Sequence, residues 1–263
     1  MTERRKGQPL VTGLLRGLAV LRCFDLGRER LGSSEIARMT GLPQPTVWRL
    51  CKTLEHGGYL VADADGQCFR PGLPILTLGF AALDTLELAE LARPPLLEIS
   101  SRFEGAASLS TRDGASMLYL QRCEAPRTVL SLNVRVGSEV PVITTGTGWA
   151  HLAGLTPKER AAVLRICREA DPARFKAHES AARDAVAAYA VQGYVENIDV
   201  FFPGLTTVAV PLATSEVRVP YVLNCTSPSR ALAAPERRRD AAAALRRAAD
   251  QLRSVVGRIG SSG

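Results

Sequence analysis

The stretch Leu31-Gly-Ser-Ser-Glu-Ile-Ala-Arg-Met-Thr-Gly-Leu-Pro-Gln-Pro-Thr-Val-Trp-Arg-Leu-Cys-Lys-Thr-Leu-Glu55 reads as two short amphipathic helices joined by a turn at Thr40-Gly41-Leu42-Pro43. Ser33 or Ser34 can cap the first helix, whose apolar positions Ile36, Ala37 and Met39 fall on one side. Gly41 suits the left-handed conformation that closes a helix. In the second helix Val47, Leu50, Cys51 and Leu54 keep the three-and-four spacing of a core-facing stripe. Gln44, Thr46, Trp48, Arg49, Lys52 and Thr53 are left pointing away. A bracing helix followed by one that exposes hydrogen-bonding and cationic groups is the pattern of a helix-turn-helix.

The flanks extend that reading. Leu14 to Phe24 is helical, with apolar positions at 14, 15, 18, 21 and 24, and Asp25 to Gly32 is a polar loop. Gly57-Gly58 stops the second helix of the pair. Tyr59-Leu60-Val61 and Gln67-Cys68-Phe69-Arg70 read as strands around the turn Asp63-Ala-Asp-Gly66. A hairpin in this place is a wing, and Arg70 on it can reach a phosphate backbone. The head is expected to occupy 1–73. A linker helix is expected over 74–91, carrying Ile75, Leu76, Leu78, Leu83, Leu86 and Leu88 with few charges, so one face should be buried against a partner.

From residue 92 to 263 the pattern is mixed. Helices are expected at Pro94–Phe103, Thr145–Ala153, Pro157–Ala170, Glu179–Gln192 and Pro235–Ile259. Strands are expected at Ala106–Thr111, Met117–Arg122, Thr128–Val136, Val208–Leu212 and Val219–Cys225. In the final helix Leu245, Ala249, Leu252, Val256 and Ile259 should pack inward. Its arginines Arg237, Arg238, Arg239, Arg246, Arg247 and Arg253 should form a solvated face.

At 263 residues the chain suits two domains with substantial cores. It carries a net charge of +7, with 11 basic and 7 acidic residues through residue 72 and 22 against 19 beyond it. The positive surplus is denser at the amino end, which permits polyanion binding there. No apolar run approaches the roughly 20 residues of a membrane helix, and the start Met-Thr-Glu-Arg-Arg-Lys-Gly lacks a signal's apolar segment. Six scattered cysteines without a Cys-x-x-Cys pair, and three distant histidines, point to reduced thiols in a cytoplasm and to no metal site. An enzyme would need a nucleophile and base such as Cys225 or Cys123 with His151, but no Gly-x-Ser-x-Gly elbow accompanies them. No catalytic residue, cofactor or metal is therefore expected. The rival readings are a small-molecule enzyme built on the second domain, or a sensor and interaction protein.

Over nearly its full length the chain resembles the IclR family of bacterial transcriptional regulators. The resemblance rests on Arg16-Gly-Leu-Ala-Val-Leu, on Ser34-Glu-Ile-Ala-Arg-Met-Thr-Gly-Leu-Pro leading to Thr46-Val-Trp-Arg-Leu, and on Leu54-Glu-His-Gly-Gly-Tyr-Leu. It continues through Pro141 to Gly148-Trp-Ala-His-Leu-Ala, Gly193-Tyr-Val, and Pro203-Gly-Leu-Thr-Thr-Val-Ala-Val-Pro. It implies an α+β chain of two domains: a winged helix-turn-helix, a dimerising linker helix, and an α/β effector-binding domain of the GAF/PAS-like kind. The implied partners are double-stranded palindromic operator DNA, a small organic acid (aromatic acids included) from a catabolic pathway, and further copies of the chain as a dimer or tetramer, with no membrane.

The candidate DNA interface is Ser34, Gln44, Pro45, Thr46, Trp48, Arg49, Lys52 and Arg70, with the arm Arg4-Arg5-Lys6 adding phosphate contacts. Pro45 stands where the family commonly has serine, and Trp48 where a smaller or histidine side chain is usual. Proline is tolerated in a first helical turn. Trp48 can pack on sugar or a thymine methyl, or cover the head's core. By position in the family's motifs, the effector pocket falls on Val129, Leu132, Gly146, Thr147, Asn197, Leu205, Thr207, Asn224 and Thr226. These residues are apolar or neutral polar, so an acid would be held by amides and a helix amino terminus, with no dedicated cation.

Overall fold

The computed structural model describes residues 10–24, 28–84, 87–126, 134–212 and 221–259. The chain divides into two compact units, Met1–Thr85 and Leu86–Gly263.

The first unit runs α1 (Thr12–Leu21), β1 (Leu31–Gly32), α2 (Ser33–Thr40), α3 (Gln44–His56), β2 (Leu60–Ala62), β3 (Cys68–Pro71) and α4 (Leu73–Asp84). Val20, Ile36, Val47, Cys51, Leu60 and Phe69 form its core, so α1, α2, α3 and the hairpin each bury one face against the others. The three strands are antiparallel in the order β1-β3-β2. β1 lies in what reads as a polar loop. Two residues are too short for a pattern to register, and only pairing with Phe69 and Cys68 makes them a strand. The capping of α2 also differs from expectation. The Gly32 N–H donates to the Glu35 carboxylate at 3.1 Å, so Ser33 and Ser34 belong to the first turn. Gly41 takes the left-handed conformation at φ 67° and closes α2 as expected.

The second unit is built on a six-stranded sheet of antiparallel pairs, ordered β6-β5-β4-β9-β8-β7. Its strands are β4 (Ala106–Asp113), β5 (Ser116–Glu124), β6 (Glu139–Pro141), β7 (Val195–Ile198), β8 (Leu205–Leu212) and β9 (Tyr221–Pro228). On one face α5 (Glu87–Arg102) and α9 (Pro235–Ile259) bury Leu96, Ile99, Leu245 and Leu252 against Leu109, Leu223 and Cys225. On the other lie α6 (Gly146–Ala153), α7 (Pro157–Ala170) and α8 (Pro172–Gln192), packing Trp149, Leu152 and Phe175 against Met117, Val195 and Val222. Helices on both faces of an antiparallel sheet make this the α+β architecture expected.

Several expected elements are redrawn. Pro94 does not open a helix: Pro94 and Pro95 lie inside α5. The buried stripe Leu88, Ala92, Leu96 and Ile99 carries the helix through them. Each full burial of such a leucine or isoleucine contributes about 1.5–3 kcal/mol, comparable in sum with the roughly 3 kcal/mol that each of the two interior prolines costs. α8 begins at Pro172, seven residues ahead of the expected Glu179, because the Asp171 carboxylate accepts the Arg174 N–H at 2.9 Å and Phe175 is buried. Of the strand expected over Thr128–Val136, residues 127–133 lie outside the described residues, and 134–136 are not strand. In α9 Leu245, Ala249 and Leu252 are buried as expected. Its arginines are not all solvated: Arg238 is half-buried, pairs with Glu196 at 2.9 Å and donates to the Leu232 carbonyl.

Candidate functional site

Two regions gather the candidate residues, one in each unit. In the first unit α3 leaves Gln44, Pro45, Arg49 and Lys52 exposed, and Ser34 and Arg70 are exposed on α2 and β3. Gln44 Nε2 donates to the Ser33 hydroxyl at 2.9 Å, tying the start of α3 to α2 and setting the angle between them. Pro45 sits in the first turn of α3, where a missing N–H loses no helical bond. Thr46 is half-buried. Trp48 packs edge-on against Phe69, with ring centroids 5.7 Å apart, so much of its surface covers the head's core. The Lys52 ammonium lies 5.6 Å from the Trp48 ring and 2.5 Å from the Glu55 carboxylate, which holds that cation near the helix face. Arg49 extends from the middle of that face. The arm Arg4-Arg5-Lys6 lies outside the described residues.

In the second unit a narrow cavity, with about 20 Å³ open to water, lies between the start of α6 and the sheet. Thr147, Asn197, Leu205, Thr207 and Thr226 line it, so residues of α6, β7, β8 and β9 converge there. Gly146 packs beside them: a Cβ on it would lie 3.0 Å from Asn197 Cβ and from Thr207 Cγ2. Asn224 is fully buried and does not line the cavity, its amide donating to the Thr226 hydroxyl at 3.3 Å. Val129 and Leu132 lie outside the described residues.

Local chemistry explains how the wall is held. The Thr145 hydroxyl accepts the Gly148 N–H at 3.1 Å and donates to the Pro141 carbonyl at 2.8 Å, capping α6. Asn197 is used on both sides, donating to the Thr144 carbonyl at 3.0 Å and accepting the Phe201 N–H at 3.2 Å. It therefore fixes the loop after β7 against the start of α6, a structural duty that needs an amide's donor and acceptor together. Thr207 and Thr226 share a hydrogen bond of 2.8 Å across neighbouring strands.

Six lining residues escape sequence reasoning: Tyr119, Arg122, Val134, Thr145, Phe201 and Phe202. Arg122 matters most, because it corrects the expectation of a pocket without a cation. Its side chain is 6% exposed. It reaches the cavity because β5 carries a bulge. Leu109 pairs with Gln121 but Ser110 pairs with Tyr119, leaving Leu120 as the extra residue. Strict alternation from Met117 and Tyr119 would turn Arg122 to the opposite face; the bulge turns it back beside Tyr119. The Arg122 guanidinium then stands 6.0 Å from the Tyr119 ring. Tyr119 is hydrogen-bonded to Thr147, and burial pushes its hydroxyl above the ordinary tyrosine range.

The nucleophile–base reading finds no support in this geometry. Cys123 and Cys225 belong to the core on the α5–α9 face, whereas His151 lies on α6 across the sheet. Burial pushes the Cys225 thiol up to about 12, so it stays neutral. Among the described residues no three His, Cys, Asp or Glu side chains group as metal ligands, and no helix is long and apolar enough to cross a membrane.

Comparison with known proteins sharpens these observations. A family model described as the IclR helix-turn-helix domain matches residues 13–64, and one described as the bacterial transcriptional regulator IclR C-terminal domain matches residues 80–254. The chain is 29% identical over 254 residues to the HTH-type transcriptional regulator TsaQ1/TsaQ2 of Comamonas testosteroni, covering 96% of this chain and 91% of that one. It is 30% identical over 220 residues to the Pca regulon regulatory protein of Pseudomonas putida, covering 83% and 75%. Among solved structures, an IclR family transcriptional regulator from Brucella abortus superposes with a TM-score of 0.83 at 32% identity, covering 94% and 93%. An IclR homologue from Microbacterium hydrocarbonoxydans complexed with 4-hydroxybenzoate shares the fold at a TM-score of 0.70 and 24% identity, covering 92% and 98%.

Proposed function

The chain belongs to the IclR family of bacterial transcriptional regulators, and from that premise we propose that it binds palindromic operator DNA as a dimer or tetramer under the control of a small organic acid. The observation that carries the ligand half of this reading is the cavity of the second unit. It sets hydroxyls from Thr147, Thr207 and Thr226 and the guanidinium of Arg122 against Phe201 and Phe202. Hydroxyls and a buried cation suit a carboxylate, and phenylalanine rings suit a flat apolar body. The relatives' names point the same way. The Microbacterium homologue was crystallised with 4-hydroxybenzoate, and another relative is the p-hydroxybenzoate hydroxylase transcriptional activator of Acinetobacter baylyi. An aromatic acid from a catabolic pathway is the class this combination favours.

The DNA half rests on α3. Gln44, Arg49 and Lys52 project from one exposed helix behind a bracing α2, the arrangement by which a recognition helix enters a major groove. Ser34 and Arg70 flank it as phosphate contacts, while Thr46 and Trp48 contribute at the helix edge. Homo-oligomerisation is supported by α4, where Leu73, Leu76, Leu78 and Phe80 are all exposed. A run of apolar side chains of that kind marks an association surface. In a dimer two recognition helices about 34 Å apart, or a multiple of that, meet successive major grooves on one side of the duplex. An acid that binds one arrangement of the protein more tightly shifts the population of DNA-competent molecules.

Gel shifts over a salt series test this reading. Affinity for one palindromic sequence must fall steeply as salt rises. Arg49→Ala is expected to cost roughly 1–3 kcal/mol of operator binding if the guanidinium reads a base, and to lower the salt slope by about one if it neutralises a phosphate. A variant that binds every duplex as the wild type does would remove α3 from the interface.

A further inference from the structure

Within the cavity just assigned to the effector, Arg122 is held in an unusual way. Both its Nε and its Nη2 lie 2.9 Å from a single oxygen, Glu124 Oε1. Nη1 is 3.4 Å from the Ser108 hydroxyl, a long contact. The Arg122 side chain is 6% exposed, whereas the Glu124 side chain is 48% exposed. The cation thus belongs to the cavity, and its counter-ion belongs to the solvent edge. A guanidinium offers a planar fork of donors that best matches both oxygens of one carboxylate. Glu124 fills that fork through one oxygen, and an exposed partner is screened by water and must be held against its own side-chain freedom. A carboxylate inside the cavity can engage the fork with both oxygens and keeps the guanidinium paired, while the exposed Glu124 returns to water.

We infer that Arg122 is the residue that selects an acid as effector, and that Glu124 is a built-in competitor which the ligand's carboxylate displaces. This rests on the reading of the cavity as the effector site. The amino terminus of α6 is a weaker anchor, since one of its first-turn amides, the Gly148 N–H, is already taken by Thr145. The bulge in β5 supports the same conclusion, since bulges recur beside functional sites, where they re-aim a side chain. Without it Arg122 would face the apolar layer of α5 and α9.

Calorimetric titration of the full chain with benzoate, 4-hydroxybenzoate and pyruvate, and with benzamide as the neutral counterpart of benzoate, tests the inference. Wild-type protein should bind at least one acid and bind benzoate more tightly than benzamide. Arg122→Gln should weaken acid binding by tenfold or more and weaken benzamide binding by much less. Glu124→Gln should tighten acid binding several-fold, because the competitor has lost its charge; a pair that only braces the strand would give the opposite sign. Should Arg122→Gln fail to fold, the sign of the Glu124→Gln effect decides alone. Acid affinity unchanged in Arg122→Gln, or weakened in Glu124→Gln, overturns the inference. Thr207→Val and Thr226→Val separate the two readings. If they weaken acid binding while Arg122→Gln does not, the cavity stands as the site and only the role of Arg122 falls. If wild-type protein binds no acid, or binds one indifferently to every one of these substitutions, the cavity reading fails and the inference with it.

Discussion

A Cβ placed on Gly148 would lie 2.1 Å from the Val142 carbonyl oxygen and 2.4 Å from its Cα, a backbone contact that no side-chain rotation relieves. Gly41 is the opposite case: nothing lies within 4 Å of its Cβ position, and only its φ of 67° favours glycine. The two should therefore respond differently to alanine. Gly41→Ala should cost about 1–2 kcal/mol, the strain of a left-handed residue. Gly148→Ala must push α6 off the 139–142 segment and should cost about 3 kcal/mol or more. Urea unfolding of each variant checks the order, and equal losses would refute it. Residue identity made some of this legible. Gly41 announces a helix end in sequence, and Thr147, Leu205, Thr207 and Thr226 could be placed in the cavity from the family's motifs. Arg122 could not, because its orientation depends on one unpaired residue, Leu120, which period-two counting does not reveal. Asn224 illustrates the reverse. It lies on the same face of β9 as Thr226, yet it is fully buried and does not line the cavity.

At the scale of elements, legibility followed length and periodicity. α7 and α9 occupy the expected spans Pro157–Ala170 and Pro235–Ile259, because many turns of apolar repeat outweigh local noise. β1, β6 and β7 have two to four residues and exist through their pairing partners, so no local pattern marks them. α5 shows tertiary packing overriding propensity. Its Pro94 and Pro95 read as a helix start, yet the stripe from Leu88 to Ile99 runs straight through them. That conflict has a measurable consequence. Pro95→Ala restores an N–H and removes the ring's clash with the preceding turn, so it should raise stability by about 1–3 kcal/mol. The gain is reduced by the roughly 0.4–1 kcal/mol that a proline contributes by restricting the unfolded chain. Thermal unfolding should show a higher Tm; a lower one would mean that the prolines shape α5 in a way its packing requires.

For the whole molecule, the regulation proposed here means that occupancy of a cavity in Leu86–Gly263 alters DNA affinity in Met1–Thr85. No contact chain need be traced to test that, because coupling between two binding sites is reciprocal. If an acid such as 4-hydroxybenzoate changes operator affinity by some factor, operator DNA must change the affinity for that acid by the same factor and in the same direction. Typical couplings of 1–3 kcal/mol correspond to about 5–150-fold, well within the range of fluorescence anisotropy for DNA and calorimetry for the ligand. The substitutions proposed above then become informative in pairs. Arg122→Gln should abolish the acid's effect on DNA while leaving operator affinity without acid unchanged, since Arg122 lies in the second unit's cavity. Arg49→Ala should weaken DNA binding while leaving acid affinity in the absence of DNA unchanged, since Arg49 lies on α3 of the first unit. An acid effect on DNA binding that survives Arg122→Gln undiminished would show that the acid acts through some route other than this cavity, such as direct competition for the basic head.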